Sequence, residues 1–435
     1  MHKTFTVLSL DPMYSLLHEH MAELLAKEKY AVTSCMSKWI YLPTFQCSLV
    51  SKLVLAQQDV NIHSELRKKI NSTHSYYHAY VGKKLQRPLN DDELDYMARY
   101  YLGLKDFIVE RGINLLLIHN DTLWYHAIAI LLCKELNIQY LVTELGLIRP
   151  HTTVIDNRGA NVNASLFYRR DKTIQVKTSK PIGTSLTQHD GIFSMLYFSV
   201  FLLAFSFERV LFAKGIARYL HNDYGLGKYA KKLTSKIHRA TRRSLDVTHQ
   251  GDALLLLQLE NDSQILVHSD ITSNQQLIVD VEAQVKKLGM RLAIKRHPLD
   301  ETRYTLSKES YWVDGKLSQL IEPSKFVITV NSSAATSVIK THVPLFLLGE
   351  SIYAQQCVAK KIDLSHLSEE VKLMSAETDT ANRQHFIAFL KHHYLVSGAG
   401  FSFDQHVLQE RLDALLHPPV VSQDVSSHDN KALPL

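Results

Sequence analysis

The chain has 435 residues, 46% apolar and 21% charged. That is too long for one ordinary core and too apolar for a disordered or low-complexity chain, so two globular domains are expected. The formal net charge of +6 admits an anionic partner such as a phosphate, a nucleotide or an acidic membrane surface without demanding one. Cys35, Cys47, Cys133 and Cys357 form no CxxC pair and no zinc spacing with histidine. They argue against a disulfide scaffold and fit a reducing cytoplasm.

The opening MHKTFTVLSLD lacks the apolar run and cleavage site of a secretory signal, and Thr4–Leu10 reads as a first strand. Tyr14–Glu28 has helical apolar spacing through Leu16, Leu17, Met21, Leu24 and Leu25, and Tyr30–Ser34 is β-like. Asp91–Arg111 predicts a helix stopped by Gly112. Ile113–His119 predicts a strand buried on both faces, Trp124–Leu136 a helix and Ile138–Thr143 the next strand. This alternation predicts a parallel sheet covered by helices, with ligands beyond the carboxyl ends of the strands.

Ile192–Phe212 is the most apolar stretch of the chain. It precedes a basic region holding Lys214, Arg218, Lys228, Lys231, Lys232, Lys236, Arg239, Arg242 and Arg243. Glu208 and Arg209 interrupt the stretch short of a spanning length. It reads as a core or interdomain helix, as a membrane-surface element flanked by cations or, least favoured, as a transmembrane span. The α/β rhythm then resumes: strand Ala253–Leu259, helix Asn274–Leu288, strands Arg291–Lys295 and Lys325–Val330, helix Ala334–Thr341 and strand Leu345–Leu348. Phe403–Leu416 is amphipathic, and the chain beyond Pro418 is polar and expected to be disordered. The expected organisation is an N-terminal domain over 1–185, an apolar-basic helical segment over 186–250, a second α/β domain over 251–370, C-terminal helices over 371–420 and a tail over 421–435.

Several polar groups stand at predicted strand ends. Lys295-Arg296-His297-Pro298 sets donors where a phosphate would sit, or is a solvated basic strand end. Asn331-Ser332-Ser333 runs from a buried strand into a helix, offering hydroxyls and backbone N–H groups to an anion, or an ordinary cap. Gln258, Asp262, Ser263, Gln264 and His268 follow the strand at 253–259 and are candidate sugar or nucleotide contacts, or a polar loop. In the first half, Asn120, Asp121 and His126 follow one strand. Glu144, Arg149, Asp156, Asn161 and Asn163 follow the next. Glu144, Asp156, Asp121 and His126 are candidate acids, bases or nucleophiles, and Arg149 can pair with an anionic group.

Taken in order, these blocks resemble the capsule polysaccharide biosynthesis and export family, which contains bacterial Kdo transferases. Glu144–Pro150 is similar to its "EEGYLRP" block, Gly159–Asn163 to "GxNxN", and Leu257–Ile265 followed by His268-Ser269 to "LQLxNDSQI". Lys295–Asp300 is similar to "KHHPMD", and Asn331–Ser333 with Pro344 and Gly349–Tyr353 to "NSTxG…PV…LGxAIY". The resemblance covers about residues 110–360. It implies a GT-B-like α/β fold: two Rossmann-like doubly wound domains facing a central cleft, with a helical insert between them. It implies a CMP-Kdo donor and an anionic glycolipid acceptor, a lyso-phosphatidylglycerol-type primer or a growing Kdo linker, at the inner face of the cytoplasmic membrane. The enzyme would be a retaining β-Kdo transferase, peripheral on that membrane. Other capsule assembly or export proteins are candidate partners; nucleic acid, metal and cofactor are not called for, since a single-phosphate leaving group needs only a donor cradle. His297, Ser332 and Ser333 would hold the CMP phosphate, Glu144 matches the acidic residue of the site, and Tyr353 joins the binding set. The chain departs from the pattern at Leu145, His151, Asp156 and Ala335. These departures keep open another CMP- or CDP-activated transferase, for sialic acid or glycerol phosphate, and a non-catalytic capsule assembly or export partner.

Overall fold

The computed structural model describes residues 4–12, 14–149, 152–169, 189–221, 224–225, 227, 251–374 and 380–417. His151, the basic run Lys228–Arg243 and the tail from Pro418 lie outside them.

The first sheet is built from β1 (Phe5–Leu10), β2 (Ala26–Thr33), β3 (Gln46–Leu49), β4 (Leu115–His119), β5 (Gln139–Leu145) and β6 (Thr152–Asp156). β3, β2, β1, β4 and β5 lie side by side in that order, all parallel, and β6 returns antiparallel along β5. All six residues of β1 are buried, because helices cover both faces of a parallel sheet. The helix Asp91–Glu110 starts at a capping box in which Asn90 and Glu93 exchange side-chain and backbone hydrogen bonds. It ends at Gly112, whose φ of +58° is the left-handed conformation favoured after a helix. The stripe expected over 14–28 forms a helix only from Leu17 to Leu25, and β2 begins at Ala26. Pairing with β1 captures Ala26–Glu28, the end of that stripe, and joins it to the β-like residues from Tyr30 on.

The second sheet is built from β7 (Ala253–Leu256), β8 (Leu292–Lys295), β9 (Ser310–Val313), β10 (Phe326–Thr329), β11 (Leu345–Leu347) and β12 (Lys360–Lys361). Its order is β12-β11-β10-β7-β8-β9, with every neighbour parallel. Read from the other edge it runs third, second, first, fourth, fifth, sixth, the dinucleotide-fold order. The chain is therefore α/β and GT-B-like: two Rossmann-like domains whose strand ends share one cleft.

After the helix Thr380–Phe389 the chain returns to the first domain. β13 (Leu395–Ala399) pairs antiparallel with β6, and β14 (Ser402–Phe403) with β13. The region expected to be helical throughout thus contributes two strands. The helix Gln405–Leu416 then sets Leu408, Leu412 and Leu416 among Val7, Leu115, Leu117 and Leu141 beneath the first sheet.

The apolar stretch is one helix, His189–Leu211. One side buries Phe201, Leu202 and Phe205 against Cys35, Tyr41 and Tyr224. Its other side is exposed, from Ile192 to Leu211. It is thus neither a core helix nor a free one.

The C-terminal return makes residues 405–416 part of the first domain's core. Leu412→Ala is expected to lower stability by about 2–5 kcal/mol, measured as a urea-unfolding midpoint, although Leu412 lies more than 250 residues from its sheet neighbours Val7 and Leu141.

Candidate functional site

In the second domain the strand order reverses between β7 and β10, and the chain beyond these two strands builds the site. Gln258 and Asn331 face each other there. Gln258 Nε2 donates to Asn331 Oδ1 (3.0 Å), and Asn331 N donates to Gln258 Oε1 (2.9 Å). Asn331 Nδ2 also donates to the carbonyls of Gln264 (2.8 Å) and Glu350 (3.3 Å). Both residues are buried, so their hydrogen-bonding capacity goes largely into joining two strand ends. Asp262 caps the helix Ser263–His268 by accepting from Gln264 N (2.9 Å). Gly349 closes this corner: a Cβ there would sit 2.9 Å from Val330 Cγ1 and 3.0 Å from Ser269 Cβ.

Ser332 and Ser333 form a turn before the helix Ala335–Ile339. Ser332 Oγ accepts from Ala334 N (3.2 Å), and Ser333 O accepts from Thr336 Oγ1 (2.8 Å). This helix has only five residues, so the anion cradle expected at its N-terminus reduces to the serine hydroxyls. His297 stands after β8. Its Nδ1 accepts from Leu299 N (3.1 Å), which places the proton of the neutral ring on Nε2 as a donor.

In the first domain the corresponding reversal, between β1 and β4, is filled. Asp11 is buried there, paired with Lys38 Nζ (2.5 Å), accepting from Ser34 N (2.8 Å) and bonded to Tyr125 Oη. Burial alone would raise its pKa, but Lys38 and His126 outweigh that and hold it below the usual range. His126 is fully enclosed, with Nδ1 on Asn120 O (2.8 Å); burial lowers its pKa to about 4. The cleft side of this domain therefore falls to the loops after β4 and β5, which carry Asn120 and Glu144.

Glu144 is half-buried and accepts from its neighbour Leu145 N (3.0 Å). Burial raises its pKa, with Asp262 of the other domain pushing the same way and Arg149 opposing. Gly146 is required by the chain itself: a Cβ there would overlap Thr152. Asp156 is fully buried and sits away from the cleft. It accepts from Arg158 N (2.9 Å), Ser165 N (3.0 Å), Ser165 Oγ (2.6 Å) and Tyr394 Oη (3.2 Å). A carboxylate saturated in this way organises a loop and is not placed as a nucleophile. Asp121 does similar work, accepting from Ala160 N (2.9 Å) and Asn163 Nδ2 (3.0 Å). Between them the two acids shape the turn that presents Asn161, at φ +52°, to the cleft.

The cleft has a volume of about 840 Å³. It gathers Glu144, Arg149, Asn161, Gln258, Asp262, Ser263, Gln264, His297, Asn331, Ser332, Ser333 and Tyr353. Other expected residues lie outside it. Asp156, Asp121 and His126 are enclosed, and Asn163 is spent on Asp121. His268 is half-buried at a helix end, its carbonyl accepting from Glu350 N. Lys295 pairs with Asp314 (3.5 Å), donates to the Gly315 carbonyl (3.1 Å) and lines a second cavity of about 380 Å³. That cavity shares His297, Ser332, Ser333 and Arg149 with the cleft, and adds Arg296 and Lys340. Among the described residues no carboxylate lines it, whereas Glu144, Glu260, Asp262, Asp300 and Glu301 line the larger cleft. His297, the serines and Arg149 thus stand between a chamber without carboxylates and a carboxylate-rich one.

Sequence reasoning missed Tyr76 and His221 in the cleft wall, and gave no role to Asp300 and Ser351 within the blocks that contain them. Tyr76 and His221 meet edge to face; they come from the helix Tyr76–Lys84 and from the segment after His189–Leu211, where no motif marks them. The same 76–84 helix bridges the domains, with Lys84 on Glu260 (3.2 Å) and on Thr272 O (2.6 Å). Tyr353 Oη is buried and finds no hydrogen-bond partner among the described residues.

Burial raises the pKa of Asp121 to about 6, against the hydrogen bonds that favour its ionised form. The folded protein then holds this proton more tightly than the unfolded chain does. Its contribution is fully present below about pH 4 and is lost as pH rises through 6, by about 3 kcal/mol at most. Buried histidines such as His126 act in the opposite sense over the same range, so the Asp121 contribution is read as a difference: urea-unfolding midpoints of the wild type should fall relative to those of Asp121→Asn between pH 4 and 7.

The family model for "Capsule polysaccharide biosynthesis protein" matches residues 115–396, from β4 to β13. The chain is 24% identical over 274 residues to the capsule polysaccharide export protein KpsS of Escherichia coli, covering 58% of this chain and 70% of that one. It is 21% identical over 281 residues to the capsule polysaccharide modification protein LipB of Neisseria meningitidis serogroup A, covering 58% and 67%. Among solved structures it is similar to the KpsC beta Kdo 2,7 transferase of Thermosulfurimonas dismutans, at 14% identity and a TM-score of 0.36 over 72% of this chain and 90% of that one. It is also similar to the UDP-GlcNAc 2-epimerase of Methanocaldococcus jannaschii, at 10% identity and a TM-score of 0.31 over 88% and 99%. Both scores are low, and the fold rests on the two sheet orders. With the match spanning both domains and the cleft between them, the chain belongs to the capsule polysaccharide biosynthesis protein family.

Proposed function

We propose that this chain is a glycosyltransferase of capsule synthesis that moves Kdo from CMP-Kdo to an anionic, lipid-linked acceptor, working peripherally at the inner face of the cytoplasmic membrane. The observation that carries this reading is the separation of charge across His297, Ser332, Ser333 and Arg149, with a chamber without carboxylates among the described residues on one side and a carboxylate-lined one on the other. In a CMP-activated ulosonic acid the phosphate and the sugar carboxylate are attached to the same anomeric carbon. Such a donor brings two close negative charges, and Arg149 and Lys340 offer countercharge beside the hydroxyls.

In the proposed reaction the anomeric C–O bond to phosphate breaks and its electron pair leaves with CMP. The His297 Nε2–H and the serine hydroxyls stabilise that leaving charge. A new C–O bond forms to the acceptor oxygen, whose proton passes to a carboxylate. Glu144 suits that task because burial raises its pKa toward neutrality. A retaining course would need a second carboxylate as nucleophile. Asp156 is enclosed by its own donors, so that role falls to the cleft carboxylates, among which Asp262 faces Glu144 closely enough to perturb it. This chemistry calls for no metal, since a single phosphate leaves.

The test is a donor panel of CMP-Kdo, CMP-sialic acid and CDP-glycerol, with products read by mass spectrometry and CMP affinity by calorimetry. CMP-Kdo should be turned over. His297→Ala and Ser333→Ala should each lower kcat/KM by roughly 10²–10³-fold. Glu144→Gln should lower kcat by about 10²-fold or more while leaving CMP affinity nearly unchanged. Turnover of a different donor would redirect the assignment on the same site. Folded protein that binds no CMP and releases none from any donor would favour a non-catalytic assembly or export partner.

A further inference from the structure

We infer that the helix His189–Leu211 lies flat in the surface of an anionic bilayer, its outer face among the acyl chains, and that the segment after it leads from that surface to the cleft. The clause about the cleft rests on the transferase reading above; the clause about the bilayer does not.

From Gly191 to Phe207 the helix carries no charged residue. At 100° per residue Ile192, Leu196, Val200, Leu203, Phe207 and Val210 fall in one stripe, and Phe193, Met195 and Leu211 border it. These side chains are exposed, Met195 by 70%, Phe207 by 69% and Val210 by 80%. A contiguous apolar face of this kind marks a surface that is covered in use.

Polar chemistry chooses the cover. A protein partner is met by an apolar centre with a polar, hydrogen-bonding rim. Here the rim is Phe193, Met195 and Leu211. The two serines toward the outside turn inward: Ser199 Oγ donates to Met195 O (2.8 Å) and Ser206 Oγ to Leu202 O (2.7 Å). Hydroxyls satisfied by their own helix are what a hydrocarbon surrounding requires. Cations follow at one end. Arg209, Lys214 and Arg218 are exposed, and the sequence continues with Lys228, Lys231, Lys232, Lys236, Arg239, Arg242 and Arg243 against the single acid Asp223 up to that point. That charge complements anionic head groups.

The helix is long and apolar enough to cross a membrane, but its inner face is fixed to the first domain. Phe201 and Phe205 pack on Tyr224. The Glu208 carboxylate accepts from Met36 N (2.7 Å) and Ser37 N (2.9 Å). It therefore lies along the domain as an interfacial helix. Beyond it, Ala217 N donates to Ser34 O (2.8 Å) and Arg218 O accepts from Trp124 Nε1 (3.1 Å). His221 then reaches the cleft wall beside Tyr76. A short length of chain thus joins the apolar helix to the acceptor side of the cleft.

The test uses the full chain with phosphatidylcholine vesicles and with mixed phosphatidylcholine–phosphatidylglycerol vesicles. The protein should float with the anionic vesicles, and raised salt should weaken that binding. The combined substitutions Leu203→Glu, Phe207→Glu and Val210→Glu should reduce vesicle partitioning by about tenfold or more and leave CMP affinity unchanged. Separately, Phe207→Trp should gain tryptophan emission that brominated-acyl vesicles quench; this single change at an exposed site keeps the test open should the triple variant not fold. Absence of flotation with anionic vesicles, equal flotation of a folded triple variant, or an unquenched Trp signal would overturn the inference. So would a dimer in sedimentation velocity that the triple variant abolishes while vesicles bind neither protein, which would make the face a self-association surface. Wild-type protein that turns over CMP-Kdo but binds no anionic vesicles sinks the membrane inference alone. Intact vesicle binding without turnover of any donor sinks the transferase reading alone.

Discussion

The reciprocal amide pair of Gln258 and Asn331 is the interaction on which the cleft depends. Two side chains at the ends of adjacent parallel strands satisfy each other and, through Asn331 Nδ2, draw in the carbonyls of Gln264 and Glu350. Both are buried, so removing either partner leaves amide groups without compensation. The pair sits where the strand order of the second sheet reverses, the position at which such sheets leave a crevice. It fixes the spacing between the loop with Asp262 and Ser263 and the loop with Ser332 and Ser333.

The first domain meets the cleft differently because its own crevice is closed. Asp11, Lys38 and Tyr125 occupy the reversal between β1 and β4, and a buried ion pair of this kind persists only with its hydrogen bonds complete. The cleft is displaced toward β5, where Glu144 stands. Asp121 and Asp156 are structural for the same reason: each gathers the backbone N–H groups of one irregular loop that no sheet or helix would otherwise satisfy. Their enclosure also explains why Asn161 reaches the cleft while Asn163, two residues on, does not.

The sequence was most informative where the signal was local. Trp124–Leu136 is a helix over the expected residues, and Ile113–His119 contains β4, because periodicity and an uninterrupted apolar run are properties of adjacent residues. β13 was not legible: its partner β6 lies some 240 residues away and Gly398 breaks its pattern. The second-domain motifs were read as ligand contacts, and most do line the cleft, but composition cannot separate a residue that faces a ligand from one that holds its neighbour. Gln258 and Asn331 do the latter at the cleft edge, and Asp156 does it out of reach. Tyr76 and His221 arrive from segments more than 100 residues apart, a convergence that only the fold creates. In the 189–211 helix composition gave the apolar character, but which face is covered depended on Glu208 and the aromatic residues beneath it.

Hydrogen–deuterium exchange with and without CMP tests the central claim most directly, because it locates the nucleotide without assuming turnover. Added CMP should slow exchange in peptides spanning His297–Asp300 and Asn331–Thr336, with no comparable change in the first-domain core around β1. Protection confined to the first domain, or unchanged exchange in both second-domain segments under saturating CMP, would contradict the account.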